Sequence, residues 1–166
     1  MKKIFKNTAY CGAVGLIIMM LASAWKNSTA QDNLIQHNVI YGSSINSEGK
    51  KQDLVMDIYS PTGKVAGKKY PMIMLIHGGT FLNGKKEDMA KLCKQMADSG
   101  FVAVTIDYRV GWNAMSAMGG CKTLDANSLI LANYRAIQDA HAAMRFLTAN
   151  ADKYQVDTKW LFIGGG

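Results

Sequence analysis

The 166-residue sequence holds only three cysteines and three histidines. None of the six stands at the short spacings from which zinc sites are built, so the residues give no metal centre. No segment repeats along the chain, which argues against a solenoid or propeller. No apolar run reaches the ~20 residues that a transmembrane helix needs. A basic cluster for nucleic acid is missing too, although the net charge is +7. Part of that charge sits in a leader-like segment: without Lys2, Lys3, Lys6 and Lys26, fifteen basic residues face twelve acidic ones, a net of +3. Nucleic acid is therefore not an expected partner.

Residues 1–30 read as a secretory signal peptide. Lys2, Lys3 and Lys6 precede an apolar core from Cys11 to Trp25, and Ser28-Thr29-Ala30 supplies small residues before Gln31. The pattern predicts cleavage after Ala30, export to a periplasmic or extracellular location, and no stable membrane anchor afterwards. Cys11 precedes the apolar core instead of following it, which argues against a lipoprotein. An oxidising compartment would permit Cys93 and Cys121 to pair. A disulfide and a buried Cys93 beside an incidental Cys121 both remain open on spacing alone.

Residues 31–166 amount to one domain. Ile35 to Tyr41 and Leu54 to Tyr59 alternate in character and read as an antiparallel edge pair joined by a turn at Asn46 to Lys50. Met72 to Ile76 is an unbroken apolar run, the mark of a parallel strand buried on both faces. Met89, Leu92, Cys93, Met96 and Ala97 share one helical face, and Gly100 follows. Phe101 to Ile106 predicts a second buried strand. Ser128 to Ala149 predicts a longer helix with a stripe of Ile130, Tyr134, Ile137, Ala140, Met144 and Leu147, and Trp160 to Ile163 predicts a third buried strand. An edge pair followed by strand, helix, strand, helix, strand is an α/β arrangement with a parallel sheet.

The central run Met72 to Ile76 stops in His77-Gly78-Gly79-Thr80-Phe81. A glycine loop with exposed NH groups at the carboxyl end of a buried strand lies where open α/β sheets keep their active sites. Asp107-Tyr108-Arg109 follows the next strand, Tyr134 to Leu147 forms the helix, and Trp160 to Gly166 reads WLFIGGG. In this order the motifs resemble the N-terminal part of a secreted α/β-hydrolase carboxylesterase, of the type related to lipases, hormone-sensitive-lipase-like and feruloyl-esterase-like enzymes. The resemblance covers residues 50–166.

The resemblance implies an α/β-hydrolase fold and hydrolysis of small-molecule or polysaccharide-linked esters by a Ser-His-Asp/Glu triad, with no cofactor and no metal. Gly79 and Thr80 take the positions of the oxyanion-hole donors, and His77 and Gly78 support that loop. Thr80 departs from the glycine or alanine of many relatives, which keeps the backbone donor and narrows the pocket beside it. Gly165 and Gly166 take the first two positions of a G-x-S-x-G nucleophile elbow, which places nucleophile, acid and catalytic histidine beyond Gly166. The 166 residues are then expected to be an inactive N-terminal fragment with an open edge at Trp160 to Ile163.

His77 and His141 precede the elbow, so the triad's chain order gives a bracing role to the first and a packed or rim position to the second. His37 carries no signal. The same order makes Asp107-Tyr108-Arg109 a loop-fixing set, and Asp139, four residues after Arg135, reads as scaffold. Trp112 and the segment Met115 to Met118 are candidates for a pocket wall. Two other readings stand beside the esterase: a non-catalytic binding module of the same fold, and a serine peptidase, for which residues 31–69 leave too little chain for an upstream propeller.

Overall fold

A computed structural model of the chain describes residues 34–112 and 126–166. The chain divides into two units, Met1–Leu34 and Ile35–Gly166. The signal-peptide reading, Cys121 and Met115 to Met118 lie outside the described residues.

The second unit is a five-stranded sheet with helices on both faces. Strands β1 (Ile35–Ile45), β2 (Lys51–Tyr59), β3 (Tyr70–Ile76), β4 (Val102–Ile106) and β5 (Val156–Gly165) take the order β1-β2-β4-β3-β5. β1 and β2 pair antiparallel, β2 joins β4 antiparallel, and β3 runs parallel to both β4 and β5. The expected edge pair and parallel core are thus present.

The apolar runs of β3 and β4 follow from coverage on two sides. Met72, Met74, Val102, Val104 and Ile106 point into the larger core, which α2 (Ala126–Ala149) closes through Ala140, Ala143 and Leu147. Leu75 and Ala103 point to the other face, under Cys93 and Ala97 of α1 (Ala90–Asp98). Alternation would leave one face of these strands wet, and neither face is. Cys93 is a free thiol with no exposed surface, and burial pushes its pKa up to about 12. That is an inert packing cysteine.

Three expectations need correction. The stripe on α2 faces the core only in its second half: Ala140 and Leu147 are buried and Met144 packs against the core, whereas Ile130, Tyr134 and Ile137 are 64%, 59% and 51% exposed and Ala132, Asp139 and Ala143 are buried as well. A face of alanines lets the helix lie close to the sheet, and contact area then outweighs the hydrophobicity of single side chains. Leu92 likewise falls at the margin of α1, 39% exposed. Finally, β5 is longer than Trp160 to Ile163 and lies at the sheet edge, so Trp160, Phe162 and Ile163 are exposed instead of buried. Its pairing with β3 is irregular between Tyr70–Val156 and Met72–Leu161. The strand's first half, with Asp157-Thr158-Lys159, is polar, so a search for apolar runs finds only its second half.

Among the described residues there are two further short elements, a 3-10 turn at Lys86–Met89 and the single helical turn α3 (Ala151–Tyr154). The first has a structural task. Asp57 of β2, opposite Thr105 in β4, lies on the face that this turn covers. Its carboxylate accepts from the Asn38 NH at 2.9 Å, meets His37 Nδ1 at 2.7 Å and pairs with Lys86 Nζ at 3.2 Å. Burial pushes the Asp57 carboxyl up, but these three partners outweigh it and hold the group below the usual carboxylate range. Lys86, equally buried, is held above the usual lysine range because Glu87 and Asp57 outweigh its loss of water. His37 is therefore not without a role: it closes the open side of a buried ion pair.

Candidate active site

The loop after β3 is built under backbone strain. Gly79, Thr80 and Phe81 have φ of +112°, +56° and +61°, so three successive residues leave the region that side chains favour. Two of them are not glycine, a conformation that costs of order 1–3 kcal/mol each and persists only where surroundings hold it. The holding contacts are visible. The Gly79 carbonyl accepts from the Leu82 NH at 2.9 Å, and the Phe81 carbonyl accepts from the NH groups of Gly111 and Trp112 at 2.7 and 3.0 Å. A Cβ on Gly79 would meet the Asn83 carbonyl oxygen at 2.2 Å, so no other residue fits there without moving the backbone.

His77 braces this loop. Its Nδ1 donates to the Gly78 carbonyl at 2.7 Å, and its ring stacks on Tyr108 with centroids 4.4 Å apart and 15° between planes. The Tyr108 hydroxyl in turn donates to the His77 carbonyl at 3.1 Å. Asp107 fixes the next stretch: Oδ1 accepts from the Lys86 NH at 2.7 Å, and its carbonyl accepts from the Tyr41 hydroxyl at 2.8 Å. Burial raises the Asp107 pKa despite that bond. Arg109 donates to both carboxylate oxygens of Asp139, at 2.7 to 3.1 Å. Asp139 is thus scaffold, but its partner is Arg109, thirty residues away, and not Arg135.

Between this loop, α2 and the end of β5 lies a cavity of about 440 Å³. Its walls are mainly apolar, from Ile76, Phe81, Ala136, Ile137, Ala140 and Ile163. His77, Gly78 and Thr80 line it from the loop and Gly165 and Gly166 from β5, while Gly79 does not reach its wall. His141 stands at the rim, exposed. Trp112 is not among the lining residues. The exposed Ile137 therefore has a location: it lies on the flank of α2 that faces the cavity.

The two glycine motifs meet here. β3 and β5 pair Ile76 with Gly165, and an ideal Cβ on Gly78 would stand 2.2 Å from the Gly166 carbonyl oxygen. The NH groups of Gly79 and Thr80 make no hydrogen bond among the described residues. Two unengaged main-chain donors, that of Thr80 in the wall of an apolar cavity and that of Gly79 next to it in the chain, suit a site where negative charge develops on oxygen. Among the described residues no group of three or more histidine, cysteine or acidic side chains is placed to hold a metal ion. Lys86, Asp57 and the Arg109–Asp139 pair escaped the sequence reading because their partners are distant in the chain. The one available hint was charged residues, Asp57 and Lys86, beside apolar strands.

Comparison with known proteins gives these features a setting. The family model BD-FAE matches residues 56–120. The chain is 32% identical over 114 residues to carboxylesterase 3B of Mus musculus, covering 68% of this chain and 18% of that protein. It is 30% identical over 113 residues to neuroligin-like protein glit-1 of Caenorhabditis elegans, covering 68% and 14%. The chain thus spans less than a fifth of the length of either relative. Among solved structures, an esterase of the planctomycete Thermogutta terrifontis, Est2, superposes with a TM-score of 0.58 at 22% identity, over 80% of this chain and 40% of that one. Sheet order, helix placement and these likenesses agree: the chain belongs to the α/β-hydrolase carboxylesterase/lipase-like family.

Proposed function

We propose that the chain carries the oxyanion-binding side of a carboxylic ester hydrolase site whose nucleophile is a serine joined directly to Gly166. The observation that carries this reading is the contact of Gly166 with Gly78. With Gly166 beside Gly78 and in the lining of the apolar cavity, this contact supports an elbow whose serine would stand next to the strained loop.

Attack of such a serine on an ester carbonyl moves negative charge onto the carbonyl oxygen. The NH groups of Gly79 and Thr80 receive that charge, at about 2.7–4 kcal/mol per donor by analogy with a measured protease case. Because strain and hydrogen bonds already fix the loop, little reorganisation is needed as the charge forms. His77 positions the loop and takes no proton from substrate; the general base and its acid follow the serine in chain order. The cavity takes the apolar part of the ester, and Thr80 trims the space beside the reacting carbon. The names of one relative, a carboxylesterase, and of the superposed structure, an esterase, support this class of substrate.

Two finer parts of the reading rest on the sequence. The charge, length and small-residue pattern of residues 1–30 supports export of the enzyme. No serine within the 166 residues stands in a G-x-S-x-G setting, so these residues by themselves are proposed to be inactive. The test is hydrolysis of p-nitrophenyl acetate by the purified 166-residue chain and by the polypeptide that continues with the codons after Gly166. Turnover by the longer chain alone supports the reading. Turnover by the 166 residues overturns it.

A further inference from the structure

A second cavity, of about 450 Å³, lies between β1 and α2 and shares only His141 with the first. Its volume is that of a small-molecule site, and Arg109 at its base sets its chemistry. Arg109 spends its donors on the acceptors around it. Besides Asp139, NH1 donates to Ser44 Oγ at 2.8 Å and to the Ile45 carbonyl at 2.9 Å, and NH2 donates to Gln138 Oε1 at 3.2 Å. The buried positive charge is neutralised by Asp139.

The two neutral side chains that accept from Arg109 keep their own donors. Ser44 accepts through its oxygen and keeps its hydroxyl hydrogen; Gln138 accepts through Oε1 and keeps its amide hydrogens. Arg145 has no ion-pair partner among the described residues, and His141 precedes it by one helical turn. The cavity therefore presents Ser44, Gln138 and one uncompensated guanidinium, with its only carboxylate, Asp139, already consumed. A cation finds no free negative charge among these lining residues, and a neutral ligand gains nothing from the charge of Arg145.

We infer that this cavity binds a small anionic molecule bearing a carboxylate, of about the size of a sugar acid, with Arg145 gripping the carboxylate and Ser44 and Gln138 donating to its oxygens. The planar fork of arginine matches a carboxylate in two parallel bonds. This inference stands apart from ester hydrolysis, since the cavity contains neither the glycine loop nor Gly166.

The test is calorimetric titration of the 166-residue chain with glucuronate, with glucose as the neutral counterpart. The expected result is binding of glucuronate, no binding of glucose, and roughly ten- to hundredfold weaker glucuronate binding to Arg145→Gln, the size of a lost charge-assisted hydrogen bond. Arg145 is exposed, and an unchanged unfolding midpoint will show that the variant keeps its fold. Absence of glucuronate binding at millimolar concentration, equal binding of glucose, or an Arg145→Gln variant that binds as well as the parent would overturn the inference.

Discussion

The carbonyl oxygen of Gly166 occupies the space that a side chain on Gly78 would need, 2.2 Å from the ideal Cβ position. Two glycine motifs separated by most of the chain therefore depend on each other. A side chain at Gly78 has no room unless the end of β5 moves, whereas a Cβ on Gly166 would meet only Met89 Cε at 3.8 Å.

Gly78→Ala should thus separate the loop from the end of β5. In the polypeptide that continues past Gly166, displacement by about 1 Å should lower kcat by about a hundredfold, as misplacement of reacting groups does. Steady-state kinetics with p-nitrophenyl acetate will show it. An alanine variant with parental kcat would mean that the contact does not position the site.

Gly79→Ala tests the strain in the loop. Gly79 has φ of +112° and a Cβ there would meet the Asn83 carbonyl, whereas Gly63, at φ +69°, has open space around it. Both variants bear the left-handed penalty of about 1 kcal/mol, and only Gly79→Ala adds a backbone collision. Urea unfolding should show Gly79→Ala less stable than Gly63→Ala by about 1–3 kcal/mol.

How far the sequence reached is visible in particular elements. β3 was legible because Met72 to Ile76 must be apolar on both faces, and the glycine loop because His77-Gly78-Gly79 follows such a strand. Both signals are local. The core face of α2 was read only in part: Ala140 and Leu147 belong to it, but Ile130, Tyr134 and Ile137 outrank alanine in hydrophobicity, while close packing against the sheet selects Ala132 and Ala143. Asp57 and Arg109 depend on partners at Lys86 and Asp139 that no helical or strand period connects. The order of the motifs set His77 apart from the triad, but its stacking on Tyr108 needed the fold.

The Asp57–Lys86 pair gives stability a defined pH window. Asp57 is depressed in the folded state, so its contribution is present above the unfolded value of about 3.9 and is lost as pH falls through the lower folded value. Lys86 is raised, so its contribution is present below about 10.4 and is lost as pH rises through the higher folded value. Lys86→Met, which leaves Asp57 buried with only His37 and the Asn38 NH, should cost about 3 kcal/mol near neutral pH. The gap between parent and variant should shrink below pH ~4 and above pH ~10.4. Chemical denaturation across that range checks both limbs.

Arg109 and Asp139 form a buried pair, so removing one partner strands the other. Arg109→Met should destabilise the fold by about 3–5 kcal/mol, and the double variant Arg109→Met/Asp139→Leu should recover much of that loss. A double-variant cycle in urea will measure the coupling. Full additivity would show that the two side chains do not depend on each other.

The most direct measurement is active-site labelling of the polypeptide that continues past Gly166, with a fluorophosphonate probe and peptide mass mapping. The account predicts a label on the residue joined to Gly166, and loss of both label and p-nitrophenyl acetate turnover when that residue is changed to alanine. A label on a serine within the first 166 residues, or a residue other than serine after Gly166, would contradict it.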